Sequence, residues 1–503
     1  MITDILWEPQ KEAVGFIVDN RRVLLADQPG SGKTLMSLAA LEVDGCFTNG
    51  VSLILAPKFP AKTTWLKDHV MRFVAPLGVN IYDLTTGSAQ VKNDRLAGLL
   101  SPAIVIANHD ALAISPSGER RVPALFDFTY DAIVIDESHR VLPTSTDSTY
   151  NMTQFWRGLK KLKTSQDPLR LAVSGTPDRS KLENRYGTLK FLFPEVYTNH
   201  QYWMYTNFIM QNQTIRLPGG RTRDIVVPQQ LRSPSDWVAR DKLYLIRRTK
   251  AEIQQGRPPK QYINVNIDME KPQKKSYMDM VKAFFAGRDK QSAAVTALRS
   301  RQLAITSGWD FDNNRIGDSF SSNKFNWLVE WLEARGYMES VASSQSDGDI
   351  SFPSKVVVAS SFVAVLNWLK RELTKLGIQV EILDGSTSQT ERARIQSEFQ
   401  DPQNSLRVVL LSMNMGVGID LDAADDLVFF DVPYSSDDAE QVEDRIDRLS
   451  RIHRVTIWWL LSSDSIDLAI AGENSERFAI SRELLDGSRG VDFARQILAQ
   501  LRR

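Results

Sequence analysis

The chain has 503 residues, 42% of them hydrophobic, and its 61 lysines and arginines balance 61 aspartates and glutamates. This length and apolar content suffice for at least two domain cores, while the neutral total excludes nucleic-acid binding through an overall positive field, so that any such surface is local. A single cysteine, Cys46, excludes an intramolecular disulfide framework and a cysteine-based zinc site.

The N-terminus, MITDILWEPQ, has neither the basic region nor the apolar stretch of a signal peptide. No uncharged apolar run approaches the 18 residues of a membrane span. With one cysteine and no targeting segment, the sequence predicts a cytoplasmic protein in a reducing setting.

The segment LWEPQKEAVGFIVDN predicts a short amphipathic helix, with apolar positions at Ala13, Phe16 and Ile17 and with Pro9 and Gln10 at its start. A glutamine in this place either caps the helix or, when a nucleotide binds nearby, hydrogen-bonds the edge of its adenine ring. Spacing alone leaves both interpretations open.

Residues 24–34, LLADQPGSGKT, combine a buried strand, a glycine-rich loop and the start of an apolar-periodic helix. Backbone N–H groups in such a loop bind phosphate oxygens, Lys33 reaches the terminal phosphates, and Thr34 supplies a hydroxyl to Mg²⁺. Asp27 stands where the usual pattern has its first glycine, which disfavours a nucleotide kinase. The nucleotide contacts predicted in this loop are Pro29, Gly30, Ser31, Gly32, Lys33 and Thr34.

Further strand-forming runs follow, VSLILAP, NIYDLTT and AIVIANHDAL, separated by helical or loop segments. Open α/β sheets bind ligands at the carboxyl ends of their strands, where Lys58 and Asn108 fall. We interpret the neighbouring His109 as a polar loop residue.

The run DAIVIDESHRV ends a buried strand with two adjacent carboxylates. Beside a phosphate loop, Asp136 can hold Mg²⁺ opposite Thr34 while Glu137 orients and deprotonates an attacking water. The strand LRLAV then leads into SGTP, where Ser174 and Thr176 suit a relay between nucleotide state and the rest of the protein; ordinary turn chemistry explains them equally well.

Residues 182–256 have a different character, with aromatic-rich helical patterns (NRYGTLKFLFPEVY, HQYWMYTNFIM) and a hairpin-like stretch, RLPGGRTRDIVV. Interleaved basic and aromatic residues can serve nucleic acid, but for the aromatic residues we favour a small helical core. Paired arginines and two prolines in LIRRTKAEI and GRPPKQYINVNIDM then predict a stiff junction.

Helical patterns in SYMDMVKAFF, VTALRSRQLAI and FNWLVEWLEA precede a predicted surface loop at 340–354. From KVVVASSF onward, strands and helices alternate, which predicts a second parallel sheet with right-handed crossovers. No second phosphate loop occurs in it, so this lobe must act on the nucleotide of the first.

Two segments of the second lobe suit that role. MGVGIDL places glycines and Asp420 after a strand, and AEQVEDRIDRLSR predicts a helix with Gln441, Arg445 and Arg448 on one face. Such arginines can neutralise charge on a transferring phosphoryl group. The alternative is a solvent-exposed face with salt bridges to Glu440, Glu443 and Asp444.

Taken together, these motifs resemble helicase superfamily two and, within it, the Swi/Snf-type DNA translocases, including their annealing-helicase branch. This sequence departs from the family pattern at four positions. Gln28 replaces an acid in the phosphate loop, Asp447 replaces a histidine in the last motif, and Ser450 and Arg451 replace the Gly-Gln that follows. The resembling segments are Pro9 and Gln10, DQPGSGKT at 27–34, LAPKFPAKTTW at 55–65, DESH at 136–139, SGTP at 174–177, RRTK at 247–250, PPK at 258–260, SMNMGVGIDLDAAD at 412–425 and QVEDRIDR at 441–448.

The resemblance implies two tandem RecA-like α/β lobes, ATP and Mg²⁺ as cofactors, and double-stranded or branched DNA as partner. We expect the first lobe at 1–245 with an insertion at about 182–240, a junction at 246–264, and a second lobe at 265–503 with a helical insertion and C-terminal helices. The implied catalytic residues are Lys33, Asp136, Glu137, Arg445 and Arg448; further nucleotide contacts are Gln10, Gly418, Asp420 and Gln441; candidate DNA contacts are Lys58, Asn108, Ser361 and Ser412.

The implied activity is that of a DNA-dependent ATPase that tracks along duplex DNA and remodels DNA structures or DNA-bound proteins. Two alternatives stay open: a helicase that separates DNA or RNA strands, with RLPGGRTRDIVV as its pin, and a nucleotide-gated clamp with little turnover. Because neither end leaves room for a chromatin-targeting module, we expect a minimal motor of bacterial or viral origin.

Overall fold

The structure is a computed structural model that describes residues 1–142, 153–178, 181–216, 222–254, 258–285, 293–338, 354–413, 415, 419–433, 435–448, 451 and 453–472. Its described residues form two compact units, which lie within Met1–Gln255 and Gly256–Ile480. Among them, no helix is long and apolar enough to cross a membrane.

The first unit is built on a parallel sheet, as the alternation of strands and helices predicts. Its strands are β1 (Arg22–Leu25), β2 (Val51–Ala56), β3 (Asn80–Leu84), β4 (Ala103–Asn108), β5 (Thr129–Ile135), β6 (Lys163–Val173), β7 (Phe208–Arg216), β8 (Thr222–Leu231) and β9 (Leu245–Ile246). Seven of them form the sheet in the order β3-β4-β2-β5-β6-β1-β9, and β7 and β8 form a separate antiparallel hairpin.

Helices cover both faces of this sheet, so β1 buries Leu24 in one core and Val23 and Leu25 in the other. A π-helical segment, Ala61–Val74, continues directly from α4. The α-helices are α1 (Glu8–Asn20), α2 (Lys33–Val43), α3 (Cys46–Asn49), α4 (Lys58–Pro60), α5 (Ala89–Leu96), α6 (Gln154–Leu159), α7 (Arg185–Leu192), α8 (His200–Asn207), α9 (Pro234–Asp241) and α10 (Lys250–Ile253); short 3₁₀ helices lie at Ile2–Ile5, Ala75–Leu77, His109–Leu112, Pro123–Phe126, Ser138–Arg140 and Leu182–Asn184.

The predicted insertion comprises α7, α8, the β7–β8 hairpin and α9. Its aromatic residues form a core, as we favoured: the Trp203 ring centroid lies 5.4 Å from Tyr186, 5.5 Å from Phe208 and 6.0 Å from Trp237. The helical prediction for FIM at 208–210 is wrong, because these residues pair with β8 and begin the hairpin. The hairpin turn, 217–221, lies outside the described residues.

The second unit contains a second parallel sheet, which confirms the predicted two-lobe α/β class. Its order is β10-β17-β16-β13-β15-β14 for strands β10 (Gln261–Ile267), β13 (Lys355–Ser360), β14 (Val380–Leu383), β15 (Val408–Ser412), β16 (Ala424–Phe429) and β17 (Thr456–Ser462); β11 (Trp309–Asp310) and β12 (Arg315–Ile316) form a small antiparallel pair. The helices are α11 (Lys271–Phe285), α12 (Ala293–Ile305), α13 (Asn323–Glu333), α14 (Val363–Lys375), α15 (Gln389–Gln400) and α16 (Ser436–Ile446).

The structure bears on the predicted junction and on the predicted helix of Arg448, and two further predicted segments lie largely outside the described residues. Ile246 belongs to β9 and Gln261–Ile267 to β10, so sheet residues occupy both ends of the segment 246–264 that we assigned to a junction. α16 ends at Ile446, so Arg448 does not lie on the helix of Gln441 and Arg445; its N–H bonds the Ile446 carbonyl instead of one four residues earlier. The predicted loop at 340–354, except Ser354, and the C-terminal helices beyond 472 lie outside the described residues.

Candidate functional site

The phosphate loop joins β1 to α2 in the first unit, as the sequence predicts. Gly30 and Gly32 have φ angles of 81° and 85°, a region that a residue with a Cβ adopts at a cost. The Lys33 ammonium donates to the carbonyls of Asp27 (2.7 Å) and Gln28 (3.1 Å). Burial lowers the pKa of Lys33, and the charges of Glu137, Asp27 and Asp136 oppose that shift. The ammonium is therefore held at the loop, among carboxylates.

Gln10 is buried beside the loop and uses both ends of its amide. Its Oε1 accepts from the Trp7 N–H at 3.0 Å, and its Nε2 donates to the Ser31 carbonyl at 2.9 Å. A Cβ on Gly32 would lie 2.5 Å from this Nε2, so a larger residue there would displace the Gln10 amide. The capping interpretation is confirmed, and contact with adenine stays a prediction.

Asp27, the departure from the usual loop pattern, is fully buried and holds the RRTK motif to the loop. Its Oδ1 accepts from the Arg248 backbone N–H (2.8 Å) and Nε (3.2 Å), and the two side chains form an ion pair. Arg247 donates to the carbonyls of Ala26 (2.7 Å) and Gly175 (2.5 Å). These arginines therefore belong to the first unit's phosphate loop, a role that we missed by assigning them to the junction.

The second departure, Gln28, contributes to the same attachment. Its Oε1 accepts from the Lys250 N–H at 2.8 Å, and its own N–H donates to the Arg248 carbonyl at 3.1 Å. An acid here is therefore unnecessary for joining the loop to β9 and α10, because an amide oxygen accepts the same bond.

The two predicted carboxylates follow β5. Asp136 accepts from the Trp65 indole N–H through Oδ2 (2.8 Å) and from the Glu137 N–H through Oδ1 (2.9 Å). Burial raises the pKa of Asp136, and the Trp65 bond and the Lys33 charge oppose that rise. Glu137 has a φ of 48°, an uncommon conformation for a residue with a side chain.

A short chain of polar contacts joins Glu137 to SGTP. The Nδ1 atom of buried His139 lies 3.2 Å from Glu137 Oε2 and 2.8 Å from Ser174 Oγ. Ser174 Oγ also accepts from the Thr176 N–H at 3.1 Å. The structure thus brings the two predicted coupling residues to the predicted base through His139, which sequence reasoning did not single out although DESH contains it.

His109 also contacts the carboxylate segment. Its Nε2 lies 2.9 Å from the Asp136 carbonyl, and because a carbonyl only accepts, Nε2 carries the proton. Burial lowers the pKa of His109 to about 4, so the ring is neutral near pH 7. The sequence indicated only a polar loop residue at His109 and did not predict its hydrogen bond to the Asp136 backbone. It did not predict the hydrogen bond from Trp65 to the Asp136 side chain either.

The oxygen donors present suit Mg²⁺. A threonine hydroxyl and a carboxylate are hard ligands of the kind that Mg²⁺ takes when it keeps several waters and binds phosphate oxygens. Among the described residues, no group of three or more His, Cys, Asp or Glu is arranged to hold an ion alone. Thr34 and Asp136 therefore offer ligand types that fit a nucleotide-bound Mg²⁺.

In the second unit, Arg445 is 4% exposed, which excludes the alternative that it lies on a solvent-exposed face. Its Nη2 donates to the Met415 carbonyl at 2.5 Å, and its carbonyl accepts from the Leu421 N–H at 2.9 Å. Arg448 forms an ion pair with Asp420. Both arginines thus contact the MGVGIDL segment. Gly418 of this segment lies outside the described residues, and the side chain of Gln441 on α16 is partly exposed.

Glu443 of α16 and Asp447, which directly follows the helix, bind Lys260 of the PPK motif. Its ammonium lies 2.8 Å from Glu443 and 3.8 Å from Asp447, and the Tyr262 hydroxyl donates to Glu443 at 2.8 Å. Burial is the largest single influence and lowers the pKa of Lys260, but Glu443, Tyr262, Asp444 and Asp447 together outweigh it and hold that pKa well above its usual value. Asp447, a departure from the family pattern, therefore supplies a second negative charge to this cation.

Arg451, the last departure, has a structural role. It donates to the carbonyls of Ala424 (2.6 Å) and His453 (3.0 Å) and pairs with Asp425. These bonds attach the segment before β17 to the start of β16.

The candidate DNA contacts follow strands that are neighbours within each unit. Lys58 comes just after β2 and is exposed, and Asn108 ends the adjacent β4 but is 8% exposed. Ser361 follows β13 and is partly exposed, whereas Ser412, which ends the adjacent β15, is 3% exposed. The side chains of Lys58 and Ser361 are therefore better presented to a ligand than those of Asn108 and Ser412.

Comparisons with known proteins agree with the motif order. Residues 9–309 match the SNF2-related domain, and residues 342–454 match the helicase conserved C-terminal domain. A probable chromatin-remodeling complex ATPase chain of Oryza sativa subsp. japonica is 24% identical over 93% of this chain and 39% of the rice protein. The ATP-dependent DNA helicase DDM1 of Arabidopsis thaliana is 23% identical over 89% of this chain and 57% of that protein.

A human SWI/SNF-related matrix-associated actin-dependent regulator of chromatin, subfamily A member 1, is 22% identical over 93% of this chain and 42% of its own length. The chain thus spans from about two fifths to somewhat more than half of these relatives. Their plant and human sources do not support the expected bacterial or viral origin.

Among solved structures, the Sulfolobus solfataricus SWI2/SNF2 ATPase core in complex with dsDNA matches 98% of this chain and 96% of that chain, at 20% identity and a TM-score of 0.39. The SNF2-related match alone covers more than half of the sequence and contains the phosphate loop, the DESH and SGTP motifs and the RRTK segment. The chain therefore belongs to the SNF2-related family and carries a helicase conserved C-terminal domain.

Proposed function

We propose that the protein is an ATP-driven motor that translocates on double-stranded DNA and remodels DNA structures or DNA-bound proteins. One observation carries the proposal: Lys33, Asp136 and Glu137 lie at one edge of a single parallel sheet, with SGTP joined to Glu137 through His139. This arrangement suits phosphoryl transfer to water and a relay of the nucleotide state.

Within this mechanism, the phosphate-loop N–H groups and Lys33 bind the ATP phosphates. Thr34 and Asp136 would hold Mg²⁺, which would shield the phosphate charge. Glu137 orients the attacking water and accepts its proton, and its fixed backbone conformation limits the positions that its carboxylate takes. The residues of this unit therefore account for binding and for activation of the nucleophile.

The second unit contributes Arg445 and Arg448. Their guanidinium groups neutralise charge that develops on the transferring phosphoryl group, so they act mainly in the transition state. In the structure both are held against the MGVGIDL segment, and we propose that Asp420, Gln441 and the glycines around 418 take part in the same nucleotide-dependent step.

The deciding experiment compares steady-state ATP turnover without nucleic acid and with duplex DNA, single-stranded DNA, forked DNA or RNA. We expect the largest stimulation from duplex DNA, and weaker stimulation as salt rises, because bound phosphates release counterions. Stimulation by RNA alone would contradict the proposal.

One observation favours strand separation as a second candidate function. β7 and β8 form a two-stranded hairpin outside the large sheet, with most described residues of β8 exposed, as expected of a wedge between strands. Unwinding of a forked duplex would support this function, and ATP-driven displacement of a third strand from intact duplex would support translocation. A nucleotide-gated clamp would instead show binding with little turnover in any of these assays.

A further inference from the structure

We propose that Trp65 and His109 are positioning residues that couple the loops after β2 and β4 to Asp136, so that nucleic acid bound at those loops sets the geometry of the metal-binding carboxylate and of Glu137. The inference rests on the proposed function and identifies how DNA contact reaches the hydrolytic site. All residues concerned lie in the first unit.

Trp65 fixes the carboxylate itself. It is fully buried, and its indole N–H donates to Asp136 Oδ2 at 2.8 Å while the Glu137 N–H occupies Oδ1 at 2.9 Å. With one donor on each oxygen, the carboxylate group cannot rotate without breaking a partly buried hydrogen bond. The position of the indole therefore determines the orientation of Asp136.

The helix that carries Trp65 starts at the loop after β2. α4 begins at Lys58 and continues without a break into the π-helical segment Ala61–Val74. Such wide helical turns are rare and are frequently found at functional sites. Because exposed Lys58 begins the continuous helical element on which Trp65 lies seven residues later, a ligand that shifts the start of this element also moves the indole.

His109 provides a second, independent connection. It follows Asn108, the last residue of β4, and its Nε2–H donates to the Asp136 carbonyl at 2.9 Å. Asn108 is 8% exposed, and among the described residues its Oδ1 has no hydrogen-bond partner. A buried amide oxygen without a partner can accept a hydrogen bond from an incoming group.

The sheet order places both connections beside the carboxylates. β2 lies between β4 and β5, and the Asp136 N–H donates to the Leu55 carbonyl of β2 at 2.8 Å. The loops after β2 and β4 therefore each reach Asp136 through a single side chain, one bonding its carboxylate and the other its backbone. Glu137, the next residue, moves with it.

The test uses substitutions that remove one hydrogen bond each. Trp65→Phe keeps a buried ring but loses the N–H; His109→Leu loses the donor, and His109→Gln keeps a donor near the Nε2 position. Trp156→Phe is the matched control, because buried Trp156 donates its N–H at 3.2 Å to the Leu142 carbonyl instead of to a carboxylate. Thermal melting checks that each variant folds.

The first readout needs no turnover. The Mg²⁺ concentration for half-maximal binding of adenylyl imidodiphosphate is measured by calorimetry, and we expect Trp65→Phe to raise it about tenfold, as losses of outer-shell partners do. The second readout is the factor by which duplex DNA raises kcat. This factor should fall about tenfold in Trp65→Phe and in His109→Leu, while the DNA dissociation constant stays unchanged. In His109→Gln the factor should recover.

Unchanged Mg²⁺ dependence and DNA stimulation in Trp65→Phe would overturn the inference, as would equal losses in Trp156→Phe, which would indicate a general packing defect. If DNA does not stimulate the unmutated protein, the proposed function fails and the coupling fails with it. The Mg²⁺ titration then still decides whether Trp65 positions Asp136.

Discussion

The two units share a parallel sheet covered by helices, yet the segments that follow their strands differ in chemistry. After β1, glycines with positive φ leave backbone N–H groups and Lys33 arranged for an anion. After β15, the segment is held by cations, with Arg445 on the Met415 carbonyl and Arg448 on Asp420. The two sheets thus end their strands alike, and the segments that follow carry the proposed phosphate site in the first unit and the proposed catalytic arginines in the second.

A second comparison concerns the segments on either side of the division between the units. In the first unit Arg248 is paired with buried Asp27, and in the second Lys260 is paired with buried Glu443. Each flanking segment is therefore anchored within its own unit by a buried ion pair. Buried pairs hold a specific arrangement, and removing one partner leaves an uncompensated charge.

The largest expected effect tests the anion-binding side. Lys33→Ala should abolish ATP turnover, because the ammonium that neutralises the terminal phosphates is lost. Steady-state phosphate release with saturating duplex DNA measures it, with exposed Lys11→Ala as control. Near-normal hydrolysis in Lys33→Ala would place the nucleotide elsewhere.

Glu137→Gln tests the chemistry at the same edge of the sheet. The amide keeps the shape but cannot accept the proton of the attacking water, so we expect turnover to fall about 10²–10⁴-fold while ATP still binds. Single-turnover hydrolysis and equilibrium nucleotide binding separate the two effects. Turnover equal to that of the unmutated protein would remove Glu137 from the role of base.

In the second unit, Arg445→Lys tests the proposed stabilisation of charge on the transferring phosphoryl group. Lysine keeps the charge but loses the planar fork, so DNA-stimulated turnover should fall about 10²-fold or more, with little change in the ATP dissociation constant. Arg448→Ala should behave alike. Full DNA-stimulated activity in both variants would mean that these arginines only hold the MGVGIDL segment in place.

A stability measurement tests the anchor of the second unit. Lys260→Met leaves Glu443 buried without its cation, and we expect a loss of about 3 kcal/mol in the free energy of unfolding. Lys370→Met is the control, since its ion pair with Glu381 is more exposed and contributes at most about 1 kcal/mol. Denaturant titration of both variants compares them, and equal losses would show that the Lys260 pair is not special.

The last expected effect is a pH dependence of the stability of the first unit. The pKa of His109 is lowered to about 4 by burial, below its usual value of about 6.5 in an unfolded chain. Since the unfolded chain then binds the proton more readily, stability should fall between pH 6.5 and 4, by up to about 3 kcal/mol. His109→Gln should remove this part of the pH profile; an identical profile would show that other groups cause it.

The sequence by itself determined where most strands and helices form and which polar groups follow them in the chain. Apolar runs such as VSLILA and KVVVAS appear as strands, and the phosphate loop, the carboxylate pair and the aromatic core of the insertion are present where local patterns predicted them. These features depend on neighbours a few residues away, which hydrophobic periodicity and glycine spacing report directly.

Only the tertiary structure decided which groups meet. Arg248 and Asp27 are 221 residues apart in sequence, Lys260 and Glu443 are 183 apart, and Trp65 and Asp136 are 71 apart. No local pattern carries such pairings, because they arise from the order of strands in each sheet and from burial that forces polar groups to find partners. For the same reason the sequence did not predict the bonds of Arg247 to the phosphate loop and extended α16 to Arg448, although the helix ends at Ile446.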